Sequence, residues 1–417
     1  MLNRLFHEGA IPREYHSNFV HLYLDIAWFG VLSGSTVNFL NIYATRIGAT
    51  GFQIGLIGAM SAIVNLFLAI PAARWLEKRH LSHAIFWTSV FYRVGFLAFV
   101  FLPWLLSEAG QIVAIIGLTF LMAIPLTPLG VGFNALFAEA VPAEYRAHVA
   151  GTRNVMLAVT FMITSLISGY ILDGFVFPVG YQIVFAIGFI GAAMSSYHLY
   201  FIRPLGRETA SHQTQPGVAS TSTTDSPRSR SSILRLDIWN TPYRAILLGL
   251  FGYHLAQYLA LPIFPLFNVR ELNLTDNQIG IGTALFYLTV FLGSTQLRKM
   301  VHRMGNKRAT GWGVAGMALY PILIAFSQNA WHFYLVSTVG GLIWSLAGGA
   351  YANYMLEHIP AHDRPPHLAW YNVMLNLAVL AGSLGGPAIA DQLGLFRALI
   401  LFGILRLLSG IAILKWG

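Results

Sequence analysis

"EAVPAEYRAHVAGTRNVML", Glu139 to Leu157, returns as "EHIPAHDRPPHLAWYNVML", Glu357 to Leu375, shifted by 218 residues without a gap. Glu, Pro-Ala, Arg and Asn-Val-Met-Leu keep their order and spacing, and the register runs on to Asp173 and Asp391. Upstream, "TGFQIG" (Thr50 to Gly55) is echoed by "TDNQIG" (Thr275 to Gly280) at a shift of 225. That shift also carries Glu77-Lys78 onto His302-Arg303. Self-similarity on this scale marks an internal repeat, so the fold question becomes what one half builds.

Composition answers it. Of 417 residues, 56% are hydrophobic and only 10% are charged, too little charge to coat a water-soluble surface of this size. The apolar residues come in long runs, such as "VAIIGLTFLMAIPLTPLGVGFNALFA" (Val113 to Ala138) and "ALILFGILRLLSGIAIL" (Ala398 to Leu414). A bilayer-spanning helix needs about 20 such residues. Twelve segments qualify: 18–42, 52–75, 83–106, 111–138, 151–173, 178–203, 243–268, 277–298, 309–327, 331–356, 368–391 and 395–415. The first is the most polar and is assigned partly by its place in the pattern. The expected fold is an all-α polytopic membrane protein of twelve transmembrane helices. Six helices per half is an even number, so the repeats insert in parallel, related by an axis along the membrane normal.

Lys and Arg set the orientation. With the N-terminus in the cytoplasm, 20 of the 25 fall on the cytoplasmic side; only Arg46, Arg270 and Arg397 lie outside, and Arg93 and Arg406 lie within segments. The net charge of +9 is thereby explained by anionic lipid headgroups, with no nucleic-acid footprint. The polar N-terminus carries no signal-peptide core, so the first helix is expected to direct its own insertion. Cysteine is absent, which removes disulfides, thiol catalysis and cysteine metal sites. "RETASHQTQPGVASTSTTDSPRSRSS" (Arg207 to Ser232) reads as a flexible cytoplasmic linker, and "ILRLDIW" after it as a short interfacial helix. The domains expected are a six-helix half at 1–203, the linker at 204–242 and a second half at 243–417.

These features resemble the major facilitator superfamily. The 6+6 parallel repeat with a central linker is one. The loop after the second helix is another: Ala73-Arg74-Trp75-Leu76-Glu77-Lys78-Arg79-His80 keeps acid then base but lacks both family glycines. Its echo, "HRMGNKR" (His302 to Arg308), keeps Arg303, Gly305, Lys307 and Arg308. The third is Glu139 to Arg146 and Glu357 to Arg364, each pair separated by six residues, similar to the Glu-x6-Arg motif of sugar porters. The resemblance implies a secondary active transporter of a small solute, not an enzyme, with no cofactor or metal and alternating access between the halves. It also implies that Glu77, Lys78, Glu139, Arg146, Arg303, Glu357 and Arg364 form a cytoplasmic charge latch. Ordinary positive-inside charge with local pairing is the competing reading, since exposed pairs are worth only about 0–1 kcal/mol each.

Ionisable groups within a membrane are costly and usually face protein or a water-filled cavity. Asp25 lies in the first helix, Arg93 in the third, His254 in the seventh and Arg406 in the twelfth. The resemblance implies that helices 1, 4, 7 and 10 line the cavity and that 3, 6, 9 and 12 are scaffold. Asp25 and His254 are therefore the candidates for substrate or proton handling, and Arg93 and Arg406 are expected to be structural. A fixed pair of Asp25 with Arg93 is the alternative for Asp25. His254, Gln257 and Tyr258 share one helical face by i, i+3, i+4 spacing. With Asn38, Trp344, Asn353 and Asn372 they make an amide and aromatic lining suited to a small polar or amphipathic solute. Polar glue between helices is the competing reading.

The expected partners are that solute, a proton where coupling exists, and the lipid bilayer; a monomer in the plasma (inner) membrane with both termini cytoplasmic is expected. Other readings stay open: a proton-driven exporter of amphipathic compounds, an uncoupled facilitator, or a non-transporting sensor. The exporter reading is weakened by the fifth helix, "VTFMITSLISGYILDG", which lacks the Gly-x-x-x-Gly-Pro-x-x-Gly-Gly pattern of drug antiporters.

Overall fold

The computed structural model describes residues 13–204, 235–360 and 363–417. The linker at 207–232 lies outside the described residues.

Among the described residues every regular element is a helix. Helix α1 runs Arg13–Leu32, passes through a π turn at Ser33–Val37 and continues as Asn38–Arg46. There follow α2 (Gly51–Glu77), α3 (Leu81–Leu105), α4 (Glu108–Ala140), α5 (Arg146–Gly174) and α6 (Val179–Tyr200). The second half opens with a 3₁₀ turn at Leu236–Asn240, where an interfacial helix is expected, and Ile238 anchors it inside the protein. Then come α7 (Tyr243–Ala260, extended by Ile263–Leu266 and a π turn at Phe267–Glu271), α10 (Ala330–Glu357), α11 (Arg364–Leu393) and α12 (Leu395–Trp416). Between α7 and α10 the helix Asp276–Gly316 is continuous in hydrogen bonding but breaks direction at Gly305, whose φ is 79°. A side chain with a Cβ adopts such a φ only at a cost, so Gly305 is the residue that lets the chain turn. The stretch before it is α8; the stretch after it, with Leu319–Ala325, is α9. The loop expected at 302–308 is thus mostly helical.

Ten described helices are long and apolar enough to cross a membrane. One of them, Asp276–Ala325, is the joined α8 and α9. The polar α1 is not among the ten. Splitting the joined pair and adding α1 gives the twelve passes. Phe67, Phe91, Val113 and Tyr170 are exposed on the outside of the bundle, a surface that suits lipid rather than water.

The echoed "TGFQIG" and "TDNQIG" are two copies of one local device. Thr50 Oγ1 accepts from the Gln53 backbone N–H at 3.3 Å, and Gln53 Oε1 accepts from the Thr50 N–H at 2.8 Å. Thr275 and Gln278 do the same at 3.2 and 3.0 Å. Each is a capping box that satisfies otherwise unbonded N–H groups at a helix start.

The buried core divides in an informative way. One cluster spans both halves, joining Phe39, Ile54 and Phe185 to Leu266, Ile279, Phe333 and Phe402. It occupies the face opposite the linker, called here the far face. Toward the linker face there are two separate clusters. One holds Phe19, Leu22, Ile85, Leu136 and Val149 of the first half; the other holds Leu247, Leu250, Tyr253, Val314 and Tyr354 of the second.

Candidate functional site

The seam between the halves is built from α2 against α11 and α5 against α8. On α2, Gly55 permits the closest approach: a Cβ there would stand 2.1 Å from the Ser383 carbonyl oxygen of α11. At the rim, Arg46 Nη2 donates to Asp276 Oδ1 at 2.8 Å and to the Leu274 carbonyl at 2.7 Å. Arg270 Nη2 donates to the Ala49 carbonyl at 2.6 Å. The repeated aspartate at the end of α5 is used here: Asp173 Oδ1 accepts from the Asn277 backbone N–H, at the start of α8, at 3.2 Å. Its counterpart Asp391, near the end of α11, lies against Gly51 at the start of α2. Carboxylates at helix N-termini are favoured by the helix dipole. Deeper, Asn38 Nδ2 donates to Ser165 Oγ at 3.1 Å, and Ser165 Oγ donates to the Gly280 carbonyl at 3.4 Å. The deepest of these contacts is the Phe161–Tyr287 ring pair, with centroids 4.2 Å apart. It lies about 16–20 Å in from the far ends of its helices.

The linker face differs. Among the described residues, Glu77, Lys78, Glu139, Arg146, Arg303, Glu357 and Arg364 are exposed and make no bond across the seam. Arg146 instead caps its own corner, donating from Nε to the Val141 carbonyl at 3.0 Å and from Nη2 to the Ala138 carbonyl at 2.5 Å. Glu357 accepts from Asn306 Nδ2 at 2.5 Å. Arg235 holds Asp237 and Asp363, both through contacts of 2.9 Å. Its hydrogen bonds push the Asp237 carboxyl below the ordinary carboxylate range.

Inside the first half lies a charge cluster. Asp25 is 3% exposed and both of its oxygens are engaged. Arg153 Nη2 stands 3.2 Å from Oδ2, Arg93 Nη2 stands 3.7 Å from Oδ1, and Ser195 Oγ donates to Oδ1 at 2.5 Å. Arg153 also reaches the Leu22 carbonyl at 2.5 Å and stacks over the Phe133 ring at 4.8 Å. The partners of Asp25 come from α3, α5 and α6, so this carboxylate points into its own half. The pairing with Arg93 weighed as the alternative is present. Arg153 corrects the charge count: it stands in the repeated phrase and was assigned to the cytoplasmic surface, yet it is buried. A carboxylate at matching depth in α1 was the available signal.

The second half answers with an imidazole and a phenol. His254 Nε2 and Tyr371 Oη lie 3.1 Å apart, and both residues are buried. Tyr371 holds the place in the repeat that Arg153 holds in the first half. In the same half is a cavity of ≈ 280 Å³ lined by Gln257, Phe264, Tyr287, Tyr320, Trp344 and Arg406, among others. It sits at mid-depth, about 20 Å from either end of α7 and α10. Gln257 and Trp344 both line this cavity. Tyr258 packs against Gly382 of α11 instead. Asn353 and Asn372 are exposed and lie outside this cavity, and Asn38 belongs to the seam.

A family model described as "Major Facilitator Superfamily" matches residues 26–252 and 246–417. A cis,cis-muconate transport protein of Acinetobacter baylyi is 23% identical over 286 residues, covering 67% of this chain and 66% of that one. The chain thus spans just under two thirds of that relative's length. Among solved structures, a mutant of the nucleoside transporter NupG superposes with a TM-score of 0.72 at 12% identity, covering 95% of this chain and 99% of that one. A bacterial homologue of the iron transporter ferroportin, in its inward-facing state, gives 0.70 at 13% identity, covering 98% and 99%. At such identities these two likenesses concern the fold alone.

Proposed function

This chain belongs to the Major Facilitator Superfamily, and on that premise we propose that it is a secondary transporter working by alternating access. The halves at 1–203 and 243–417 rock about a solute held at mid-depth, joined by the segment 204–242. The observation that carries the reading is the uneven seam: one shared core at the far face, two separate cores at the linker face. A chain with one fixed interface has no use for a second charged face whose described residues make no bond across the seam.

The linker face is assigned to the cytoplasm because 20 of the 25 Lys and Arg were counted on that side. Even with Arg153 removed from the count the bias holds. On this reading both termini lie in the cytoplasm of a plasma (inner) membrane and the state is inward-open. Opening outward breaks the bonds of Arg46, Arg270 and Asp173, and brings Glu77, Lys78, Arg146, Arg303, Glu357 and Arg364 together. Several weak pairs acting jointly are what a two-state balance of a few kcal/mol needs. The name of the Acinetobacter baylyi relative says that it transports cis,cis-muconate, which supports a small organic solute here.

The second reading is an uncoupled facilitator, favoured by the engagement of Asp25 with two guanidiniums. Retention of pH-driven uptake by Asp25→Asn excludes this residue as the coupling site; uptake indifferent to a pH gradient in the wild type favours the facilitator.

The absence of native cysteine makes the main test direct. Thr283, on the cavity wall, is changed to cysteine and labelled with an impermeant maleimide from either side of sealed vesicles. Alternating access predicts labelling from the cytoplasmic side and, with an organic solute supplied, from the far side as well. Labelling confined to one side with every organic acid, sugar and nucleoside tried would sink the reading.

A further inference from the structure

Arg406 is the largest fully buried side chain group's most polar member, and it stands in the middle of a membrane-spanning helix. Three of its N–H groups reach backbone carbonyls: Nε to Ala256 at 3.4 Å, Nη1 to Met317 at 3.4 Å and Nη2 to Gln257 at 3.2 Å. All three bonds are long, and a guanidinium has five N–H groups to place. Among the described residues it has no carboxylate partner within ion-pair distance. The contrast with Arg93 and Arg153, which share Asp25, is direct. A buried charge with no counter-charge is expensive and marks a functional position in a membrane.

The space beside it has the matching shape. Arg406 lines the ≈ 280 Å³ cavity together with Gln257, whose side-chain amide carries two N–H groups able to donate to an anion. The other walls are the Thr283 and Ser337 hydroxyls, apolar groups, and rings including Phe264, Phe286, Tyr320 and Trp344. Tyr287 closes the cavity toward the first half, where its ring packs at a tilt against Phe161. One cation, one amide and two small hydroxyls set in a largely aromatic box select a ligand with one anionic end and a flat apolar body. Inorganic anions gain the charge but leave the rings unfilled; neutral aromatics fill the rings but leave the charge unpaired.

We propose that this cavity is the solute site and that it takes a small aromatic or conjugated carboxylate, its carboxylate on Arg406 and Gln257 and its body among the rings. The proposal rests on the transporter reading and names its substrate class. It also assigns a binding role to α12, which the family resemblance places in the scaffold. Because Tyr287 belongs to both the cavity wall and the deepest seam contact, a bound solute touches the element that must separate when the far face opens.

The test is equilibrium binding of labelled benzoate to the full chain purified in detergent, with monodispersity checked for each variant. Saturable binding is expected, with competition by unlabelled benzoate but not by benzyl alcohol or phosphate. Arg406→Gln is expected to weaken it by about ten- to hundredfold, the scale of a lost hydrogen-bonded charge. Arg406→Lys, which keeps the charge, is expected to retain more affinity than Arg406→Gln. Gln257→Leu, which leaves the carbonyl contacts of Arg406 in place, is expected to weaken binding by several-fold and serves if Arg406→Gln does not fold. Absence of saturable benzoate binding, or unchanged affinity in the folded variants, or equal competition by benzyl alcohol, overturns the proposal. Binding in detergent requires no change of state. Failed binding in a chain whose Thr283→Cys variant is labelled from both sides therefore refutes the site alone. Binding through Arg406 in a chain labelled from one side only refutes alternating access alone.

Discussion

The two halves share a fold and a repeated sequence phrase, yet they join their first and fifth helices by different chemistry. In the first half, α1 and α5 are held by Asp25 and Arg153, with Arg93 added from α3. In the second, α7 and α11 are held by the His254–Tyr371 hydrogen bond. The buried arginine of the second half, Arg406, is hydrogen-bonded among the described residues only to carbonyls. The difference teaches how to read a buried charge in a duplicated membrane protein. Where the counter-charge lies in the same half, the charge is glue. Where it is missing, as at Arg406, the proposed reading is a place kept for a ligand.

The comparison can be broken in several ways. The largest effect is expected from Asp25→Asn, which leaves two guanidiniums buried without their acid. A loss of about 3–5 kcal/mol is expected from denaturant unfolding in detergent. A loss below about 1 kcal/mol would mean that the cluster is not what holds the first half. Arg153→Met leaves Arg93 near Asp25 and is expected to cost less, about 1.5–3 kcal/mol, the range for hydrogen bonds to charged groups. Combined with Asp25→Asn, its cost is expected to fall well short of additive, because the second change removes a group the first has already orphaned. Tyr371→Phe in the second half removes one hydrogen bond and is expected to cost about 0.5–1.5 kcal/mol. A cost as large as that of Asp25→Asn would erase the contrast between the halves. The smallest effect on stability, below about 1 kcal/mol, is expected from Arg46→Gln at the partly exposed far rim. Its signature is conformational: faster labelling of Thr283→Cys from the far side, since an outward-open state no longer breaks that pair.

Much of this was legible without a structure, but unevenly. Asp173 and Asp391 are visible as equivalent residues, yet only the packed halves show each beside the helix start of the opposite half. Gln257 and Trp344 were found because amides and aromatics in apolar helices are conspicuous. Arg153 was missed because it stands two turns inside α5 from Arg146, where a long basic side chain ordinarily reaches the headgroups. Arg406 was visible as a membrane charge but was set aside with the scaffold, because helix number says nothing about which cavity a long side chain enters.

By itself, the sequence determined that this chain lives in a bilayer, that it folds as two parallel six-helix halves, and which face carries the basic residues. These follow from local quantities: apolar run length, repeat spacing, capping residues and charge asymmetry. Only the tertiary structure decided which face is shut, which charges cancel and which one is left over. Those depend on distances of a few ångströms between residues more than a hundred positions apart, as between Asp25 and Arg153, and no local pattern encodes them.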